Sequence, residues 1–263
     1  MRQLARVKNM FKFGYLRPMQ LRIHLPNLIT AANAIFGLLA ILSVFQNLFE
    51  WTLIFFLFGM VCDFLDGWVA RWVGATSELG AQLDSLADMI TSGVLPGVLV
   101  YQLIRTQSSS YWDFSAADLG LEATFSLSTV GWVGLLLPLG AAYRLARFNI
   151  DTEQSKYFKG LASPANALFF VGYPLWVEST TLLPLKGLLI QPEIITFWVI
   201  FFVFIMNSPL RMFKLKFNTL YDKIYVAILF SGSILFFILF GVAAFSLSVL
   251  LYILLCLTRN VTL

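Results

Sequence analysis

Apolar segments long enough to cross a lipid bilayer recur along this chain and constrain its fold more than any other feature. A membrane-spanning helix needs about 17 to 25 such residues. Candidate spans occupy residues 25–46, 51–71, 81–105, 126–148, 162–181, 193–208, 223–240 and 242–258. Because the chain is 59% hydrophobic and only 12% charged, its composition is not that of a soluble protein. We therefore predict an all-α polytopic membrane protein with about eight spans and a minimum of about six.

Basic residues predict how these spans are oriented, because cytoplasmic segments of membrane proteins are enriched in Lys and Arg. With eight spans and a cytoplasmic N terminus, all 18 Lys and Arg except Arg105 and Lys186 fall at or near the cytoplasmic side. The predicted outer loop, residues 106–125, is acidic instead. We therefore expect both termini at the cytoplasmic face.

The same pattern divides the chain into three parts. Residues 1–24 are basic with interspersed apolar residues, which predicts an amphipathic segment on an anionic membrane surface, although a plain topology signal explains them equally well. Residues 25–208 form the predicted membrane core, and residues 209–263 a basic loop followed by a helical pair. Topology accounts for the net charge of +4 better than nucleic acid does, so no nucleic-acid partner is expected.

Four aspartates lie in these apolar surroundings: Asp63, Asp66, Asp84 and Asp88. On insertion scales, placing one aspartate at the bilayer centre costs roughly 2.5 to 3.5 kcal/mol of free energy. A set of four therefore requires hydration or a positive partner. Spacings of three and four residues place each pair on one helix face. Carboxylates that converge without His or Cys favour a hard cation such as Mg²⁺ or Mn²⁺. The alternative is a set of solvated carboxylates at helix ends.

The stretch containing these aspartates has a fixed spacing. It reads Asp63-x-x-Asp66-Gly67-x-x-Ala70-Arg71, followed by Gly80-x-x-x-Asp84-x-x-x-Asp88. This spacing resembles the signature of the CDP-alcohol phosphotransferases at every fixed position. The resemblance implies a six-helix catalytic core, a homodimer, and a membrane enzyme in which an alcohol displaces CMP from a CDP-linked lipid with the help of divalent metal.

The resemblance also implies roles for individual residues. Asp63, Asp66 and Asp84 are candidate metal ligands. Asp88 is the candidate general base, and it is also a candidate ligand. The residues that the resemblance places along the CMP portion of the site are Asp63, Asp66, Gly67, Ala70 and Arg71. With all four motif aspartates predicted near the cytoplasmic face, CDP-linked substrates would be available to them.

Small and polar residues add candidate nucleotide contacts. Gly67 and Gly80 permit a close backbone approach. Asn27 and Thr30 belong to a Pro-Asn-x-x-Thr element that resembles the first helix of the family, although ordinary helix capping explains them equally well. Arg71 suits phosphate binding, and the alternative for it is an interfacial anchor.

Downstream stretches resemble the phosphatidylserine synthases within this family. The similarity lies in residues 84–96, 144–149 and 158–167. Ser92, Leu95 and Ala162 depart from the usual Phe, Ala and Pro of that pattern. The resemblance implies that the substrates are CDP-diacylglycerol and L-serine and that the products are phosphatidylserine and CMP. It also implies that the protein lies in the lipid of the cell (inner) membrane.

A serine site requires a fixed cation for the carboxylate of the amino acid. Arg144 and Arg147 share a helix face, and a guanidinium suits bidentate carboxylate binding. The alternative is a pair of interfacial arginines. Lys159 is a further candidate, and Ser85 and Ser92 complete the set of predicted acceptor-side residues.

Two competing functions remain open. Another acceptor, glycerol 3-phosphate or an inositol phosphate, would need a denser basic pocket for its phosphate. A divalent-cation transporter would also use intramembrane carboxylates, but near the midplane and on several helices. It would not need Gly67, Ala70 and Arg71.

Overall fold

The computed structural model describes residues 18–107, 111–115, 124–150, 158–212 and 220–261. The helices in these ranges are α1 (Pro18–Phe45), α2 (Phe49–Trp72), α3 (Glu78–Asp88), α4 (Leu95–Gln107), α5 (Leu136–Ile150), α6 (Ser163–Ser179), α7 (Leu183–Leu189), α8 (Pro192–Asn207), α9 (Leu220–Phe240) and α10 (Ala244–Val261). The strands are β1 (Tyr111–Ser115), β2 (Thr124–Ser128), β3 (Phe158–Lys159) and β4 (Arg211–Met212). Most of the predicted amphipathic segment lies outside the described residues, and α1 begins before the predicted first span.

Four helical stretches of the described residues are long and apolar enough to cross a membrane: His24–Phe45, Phe49–Trp72, Glu78–Gln107 and Asp222–Thr258. The pair α7 and α8, bent by 59° at its break, would be a fifth if it forms one span. The last stretch folds back on itself, because a Cβ added to Gly232 of α9 would lie 2.6 Å from the side chain of Leu251 in α10. These helices confirm the predicted all-α membrane protein, and the number of crossings stays a prediction.

The first two helices form an antiparallel hairpin. Its turn contains Asn47 with a φ of 57°, a left-handed conformation that Asn adopts more readily than most residues. Beside the turn, the buried hydroxyls of Ser43 and Thr52 lie 2.8 Å apart and join the two helices. The opposite end of the hairpin brings Thr30 of α1 beside Asp66 of α2. The hairpin thus places the start of the first helix against the first aspartate pair.

A π-helical segment, Met89–Val94, interrupts the long helix formed by α3 and α4. Such segments carry an extra residue per turn and are frequent at functional sites. This one begins directly after Asp88, and its buried residues include Thr91. Gly93 allows close approach of α5, since a Cβ there would lie 3.1 Å from the Cβ of Ala141. The segment therefore joins the second aspartate pair to the centre of the bundle.

Aromatic side chains hold α6 and α8 together. Phe169 stacks on Phe202 with ring centroids 4.2 Å apart, and it lies 5.2 Å from the ring of Trp198. Phe170 meets Phe202 edge-on at 5.4 Å. Aromatic pairs of this kind stabilise packing beyond their buried area. Because α6 and α8 pack closely, the start of α6 and the end of α8 are held in fixed positions relative to each other.

The predicted span 126–148 is wrong at its start. Residues Thr124–Ser128 form β2, which pairs antiparallel with β1, and a 3₁₀ turn at Gly131–Leu135 leads into α5. The alternation of polar and apolar side chains in β2 is typical of a half-buried strand. The helix itself has 15 residues, which corresponds to a length of roughly 22 Å at the usual rise per residue.

A turn at Gly160 fastens the segment before α6 to the end of α8. Gly160 has a φ of 75°, and its N–H donates to the Leu210 carbonyl at 2.8 Å. The Leu161 N–H donates to the Ile205 carbonyl at 3.3 Å. Strands β3 and β4 pair beside this turn. A Cβ on residue 160 would overlap the carbonyl of Met206, so only glycine fits there.

Candidate active site

Three of the predicted metal ligands converge where the end of α2 meets α3. One carboxylate oxygen from each of Asp63, Asp66 and Asp84 lies within 4.8 Å of the others. Asp66 is buried, and Asp63 and Asp84 are half-buried. The two helix faces on which the sequence placed these carboxylates therefore face each other.

The donor set of this cluster fits a hard divalent cation. All three donors are carboxylate oxygens, which Mg²⁺ and Mn²⁺ accept in preference to sulfur. Asp84 Oδ1 is buried and has no hydrogen-bond partner among the described residues. Burying negative charges together is unfavourable unless a positive partner compensates them. The cluster thus provides both the ligand atoms and the electrostatic reason for a cation.

Thr30 orients one of these carboxylates. Its hydroxyl lies within hydrogen-bond distance of Asp66 Oδ2 and of the Pro26 carbonyl, and its side chain is buried. Hydrogen bonds from outside the ligand shell commonly fix the orientation of metal-binding carboxylates. Thr30 was predicted as a nucleotide contact, and the structure gives it this orienting contact as well.

A cavity of about 180 Å³ opens beside the cluster. It collects the predicted nucleotide contacts of α1, α2 and α3, namely Asn27, Thr30, Gly67, Ala70, Arg71 and Gly80, together with Asp66 and Asp84. A Cβ on Gly80 would lie 3.3 Å from Asn27 Oδ1, and a Cβ on Gly67 would meet only Arg71 Nη1, at 3.5 Å. A side chain at position 67 would therefore project beside the Arg71 guanidinium.

Ser77 directly precedes α3 and lies at the edge of this cavity. Its hydroxyl accepts a hydrogen bond from the Gly80 N–H at 3.0 Å and thereby caps the helix. The positive end of the helix dipole then lies at the cavity and favours an anion there. The sequence pattern did not single out Ser77, although a Ser just before an apolar helix is an ordinary capping signal.

Asp88 lies one helical turn beyond Asp84 and outside the group of three. It interacts electrostatically with Asp84 and with Arg144 of α5. It is half-buried. Asp88 is therefore near both the carboxylate cluster and one of the basic residues predicted for the acceptor.

The predicted basic residues line a second, narrow cavity at the end of α5. Its walls are Arg144, Arg147, Phe148, Lys159, Met206, Asn207 and Ser208. Its core has room for about one water molecule. Arg144 Nη1 donates to Ser163 Oγ at 2.8 Å, while Arg144 Nε is buried without a partner among the described residues. The cavity thus contains a half-buried cation with an unused, buried donor atom.

Asn207 gives the same cavity an unused acceptor. Its Nδ2 donates to the Val203 carbonyl at 3.0 Å, but its Oδ1 is buried and has no partner among the described residues. Sequence reasoning missed Asn207 and the Ser163 contact because both depend on the packing of α6 and α8 against α5. No local pattern predicts such contacts.

The two predicted serines lie elsewhere. Ser85 exchanges hydrogen bonds with the Asn149 side chain at 3.0 to 3.2 Å, which joins α3 to the end of α5. Ser92 is buried in the π-helical segment and lines neither of the two cavities. Neither residue lines the cavity that contains Arg144.

Known proteins resemble this chain over more than half of its length. The CDP-diacylglycerol–serine O-phosphatidyltransferase of Bacillus subtilis is 32% identical over 162 residues, which is 62% of this chain and 78% of the relative. That of Methanocaldococcus jannaschii is 33% identical over 168 residues, 64% of this chain and 69% of the relative. An archaetidylserine synthase of Methanothermobacter thermautotrophicus is 34% identical over 148 residues, 56% of this chain and 55% of the relative.

The sequence profile of one family covers most of the site. Residues 23–205 match the CDP-alcohol phosphatidyltransferase profile. This range includes the carboxylate cluster, the cavity beside it, Asp88 and both arginines of α5. It extends from α1 almost to the end of α8. The chain therefore belongs to the CDP-alcohol phosphatidyltransferase family.

Proposed function

We propose that this enzyme transfers the phosphatidyl group of CDP-diacylglycerol to the hydroxyl of L-serine. A bond forms between the serine hydroxyl oxygen and the phosphorus of the phosphatidyl group, and the bond from that phosphorus to the CMP oxygen breaks. The products are phosphatidylserine and CMP. The observation that carries this proposal is the cavity that joins the family's motif residues to the carboxylate cluster. The names of the relatives support serine as the acceptor.

Asp63, Asp66 and Asp84 would hold the divalent metal, Mg²⁺ or Mn²⁺, with Asp88 as a further candidate ligand. A metal bound there supplies neutralisation of the charge on the diphosphate and on the departing CMP. Thr30 keeps Asp66 oriented toward the cluster. The arrangement at one end of the α2–α3 pair suits a headgroup at a membrane surface better than a cation pathway through the bilayer.

The cavity beside the cluster would bind the CDP headgroup. Arg71 supplies a guanidinium for phosphate, and the capped start of α3 supplies N–H groups with a favourable dipole. Gly67 and Gly80 leave room for the nucleotide. Asn27 provides polar side-chain atoms at the same wall.

Asp88 would take the proton from the serine hydroxyl as general base. Its nearness to both Asp84 and Arg144 would let it meet an acceptor that approaches the phosphatidyl group. A general base in contact with the reacting hydroxyl contributes roughly 10²- to 10⁴-fold to a rate.

The narrow cavity would receive the charged end of serine. Arg144 Nε offers a donor to the carboxylate, Asn207 Oδ1 an acceptor to the ammonium, and Arg147 and Lys159 add positive charge. Glycerol 3-phosphate or inositol phosphate has no ammonium for Asn207 to meet. Because the narrow cavity has room for only about one water molecule, its walls must move apart when the amino acid binds.

A comparison of acceptors tests the proposal. Purified protein receives CDP-diacylglycerol, Mg²⁺ or Mn²⁺ and one acceptor at a time: L-serine, glycerol 3-phosphate, myo-inositol or inositol 1-phosphate. We expect serine to give CMP and phosphatidylserine in equal amounts, and the other acceptors to give little product. A higher kcat/KM for a phosphorylated acceptor would contradict serine as the substrate.

We further propose a homodimer in the cell (inner) membrane, with residues 25–208 as the catalytic core between a basic N-terminal segment and a C-terminal helical pair. The active site and both termini would lie on the cytoplasmic side. The nearness of Arg144 to Tyr252 supports this placement of the C terminus, because it brings the middle of α10 to the end of the bundle that holds the carboxylates.

Cysteine labelling tests this orientation. Gly74 and Gly187 are exposed, and a Cβ at either meets nothing within 4 Å. In a background without Cys62 and Cys256, we expect Gly187→Cys in intact cells to react with a membrane-impermeant thiol reagent and Gly74→Cys to react only after the membrane is opened. Labelling of Gly74→Cys in intact cells would contradict a cytoplasmic active site.

A further inference from the structure

A buried polar pair lies directly behind Asp88 and has no part in the assignments above. Asn33 of α1 is 1% exposed, and Thr91 of the π-helical segment is 2% exposed. Thr91 Oγ1 lies 2.8 Å from Asn33 Oδ1 and 2.7 Å from the Ala87 carbonyl. Asn33 Oδ1 and the Ala87 carbonyl oxygen can only accept, so the Thr91 hydroxyl is the donor and its single proton is shared between the two.

The Thr91 contact fixes which way the Asn33 amide faces. With Oδ1 engaged by the hydroxyl, Nδ2 must face the other way. Nδ2 is buried, faces the Asp88 carboxylate, and lies beyond hydrogen-bond distance of any partner among the described residues.

Two glycines hold this pair tightly. A Cβ on Gly59 of α2 would lie 2.9 Å from Thr91 Cγ2 and 3.1 Å from Asn33 Oδ1. A Cβ on Gly37 of α1 would lie 3.2 Å from the same methyl group of Thr91. The space around the pair therefore leaves little freedom for either side chain.

We propose that Asn33 is a positioning residue for Asp88 and that Thr91 sets the direction of its amide. The inference rests on the proposed function, because it gives Asp88 the role of general base. The Nδ2 donor behind the carboxylate would hold Asp88 toward the acceptor hydroxyl once the substrates bring the site together. A misplacement of about 1 Å at such a group costs roughly 100-fold in rate.

The competing explanation is that the Asn33–Thr91 pair only holds α1 against the π-helical segment. The chain offers a matched control for it: Ser43 and Thr52 form an equally buried hydroxyl contact of 2.8 Å at the other end of the α1–α2 hairpin. Thr52→Val removes a buried hydroxyl as Thr91→Val does, but far from the carboxylates. Thr91→Ser keeps the hydroxyl and serves as the conservative variant.

The experiment measures kcat, the KM of both substrates and the thermal unfolding temperature for each purified variant. We expect Thr91→Val to lower kcat about 10-fold and Asn33→Leu about 100-fold, with the KM of CDP-diacylglycerol unchanged. Thr91→Ser should retain kcat, and Thr52→Val should lower the unfolding temperature without lowering kcat. In the Asn33→Leu background, Thr91→Val should have no further effect on kcat.

Equal kcat for Thr91→Val, Thr52→Val and the wild type would overturn the positioning role. So would additive effects of Asn33→Leu and Thr91→Val. If Asn33→Leu does not fold, the comparison of Thr91→Val with Thr91→Ser and Thr52→Val still decides. Failure of the proposed function has a different result, because the wild-type protein itself would then give no phosphatidylserine from serine.

Discussion

Replacing Asp63, Asp66 or Asp84 by Asn is expected to abolish phosphatidylserine formation. Each substitution keeps the size of the side chain and removes one anionic ligand from a cluster whose oxygens lie within 4.8 Å of one another. With one carboxylate removed, the cluster carries too little negative charge to hold the cation that neutralises the diphosphate. The measurement is CMP release from CDP-diacylglycerol at saturating serine and Mg²⁺ or Mn²⁺.

A second readout separates loss of metal from loss of fold. Added Mn²⁺ should raise the unfolding temperature of the wild-type protein, because a ligand that binds only the folded state stabilises it. The Asn variants should lose this rise, and they should unfold at the same or a higher temperature without metal, since crowded negative charge has been removed. Asp113→Asn is the control, because Asp113 is exposed and accepts from Ser126 at 2.6 Å on the β1–β2 hairpin. Near-normal turnover in all three cluster variants would refute the metal site.

Arg144→Ala is expected to weaken the use of serine by roughly 10- to 100-fold, because a charge-assisted hydrogen bond is worth about 1.5–3 kcal/mol. Arg147 is exposed and should matter less. The loss should appear in the serine concentration dependence, with the KM of CDP-diacylglycerol much less altered. Arg144→Lys should not restore it, since lysine lacks the planar fork that reaches Ser163 and the cavity together.

Acceptor analogues make this prediction more specific. Compared with serine, 3-hydroxypropionate lacks the ammonium and ethanolamine lacks the carboxylate. Asn207→Leu should lower the preference for serine over 3-hydroxypropionate, whereas Arg144→Ala should lower the preference for serine over ethanolamine. Ser163→Ala is the matched control for Arg144, because it removes the 2.8 Å contact and keeps the guanidinium. If Arg144→Ala and Arg147→Ala both kept the wild-type dependence of the rate on serine concentration, Arg144 and Arg147 would be interfacial anchors instead.

The parts of the site that the sequence could predict are those set by local spacing. The pairs Asp63–Asp66 and Asp84–Asp88 each lie on one helix face because the helical repeat requires it. The short connection after α2 then brings the faces together. Gly67 and Arg71 follow on the same helix, and both line the cavity beside the cluster.

The remaining parts depend on contacts between segments far apart in the chain. Asn33 meets Thr91 across 58 residues, and Arg144 meets Ser163 across 19. The π-helical segment changes the register of buried side chains after Asp88, and no residue of Met89–Val94 marks it in advance. The strand at the start of the predicted span 126–148 was missed because an apolar average over many residues hides an alternation over five.

The turn at Gly160 has a consequence for redesigning the enzyme toward other alcohols. Lys159 precedes this turn and Asn207 ends α8, so the backbone contact ties two walls of the acceptor cavity into one unit. No side chain can be added at residue 160 to widen or tilt that unit. Engineering of acceptor choice should therefore begin with side chains that face the cavity from α5 and α8, and libraries that vary the turn should yield mainly misfolded protein.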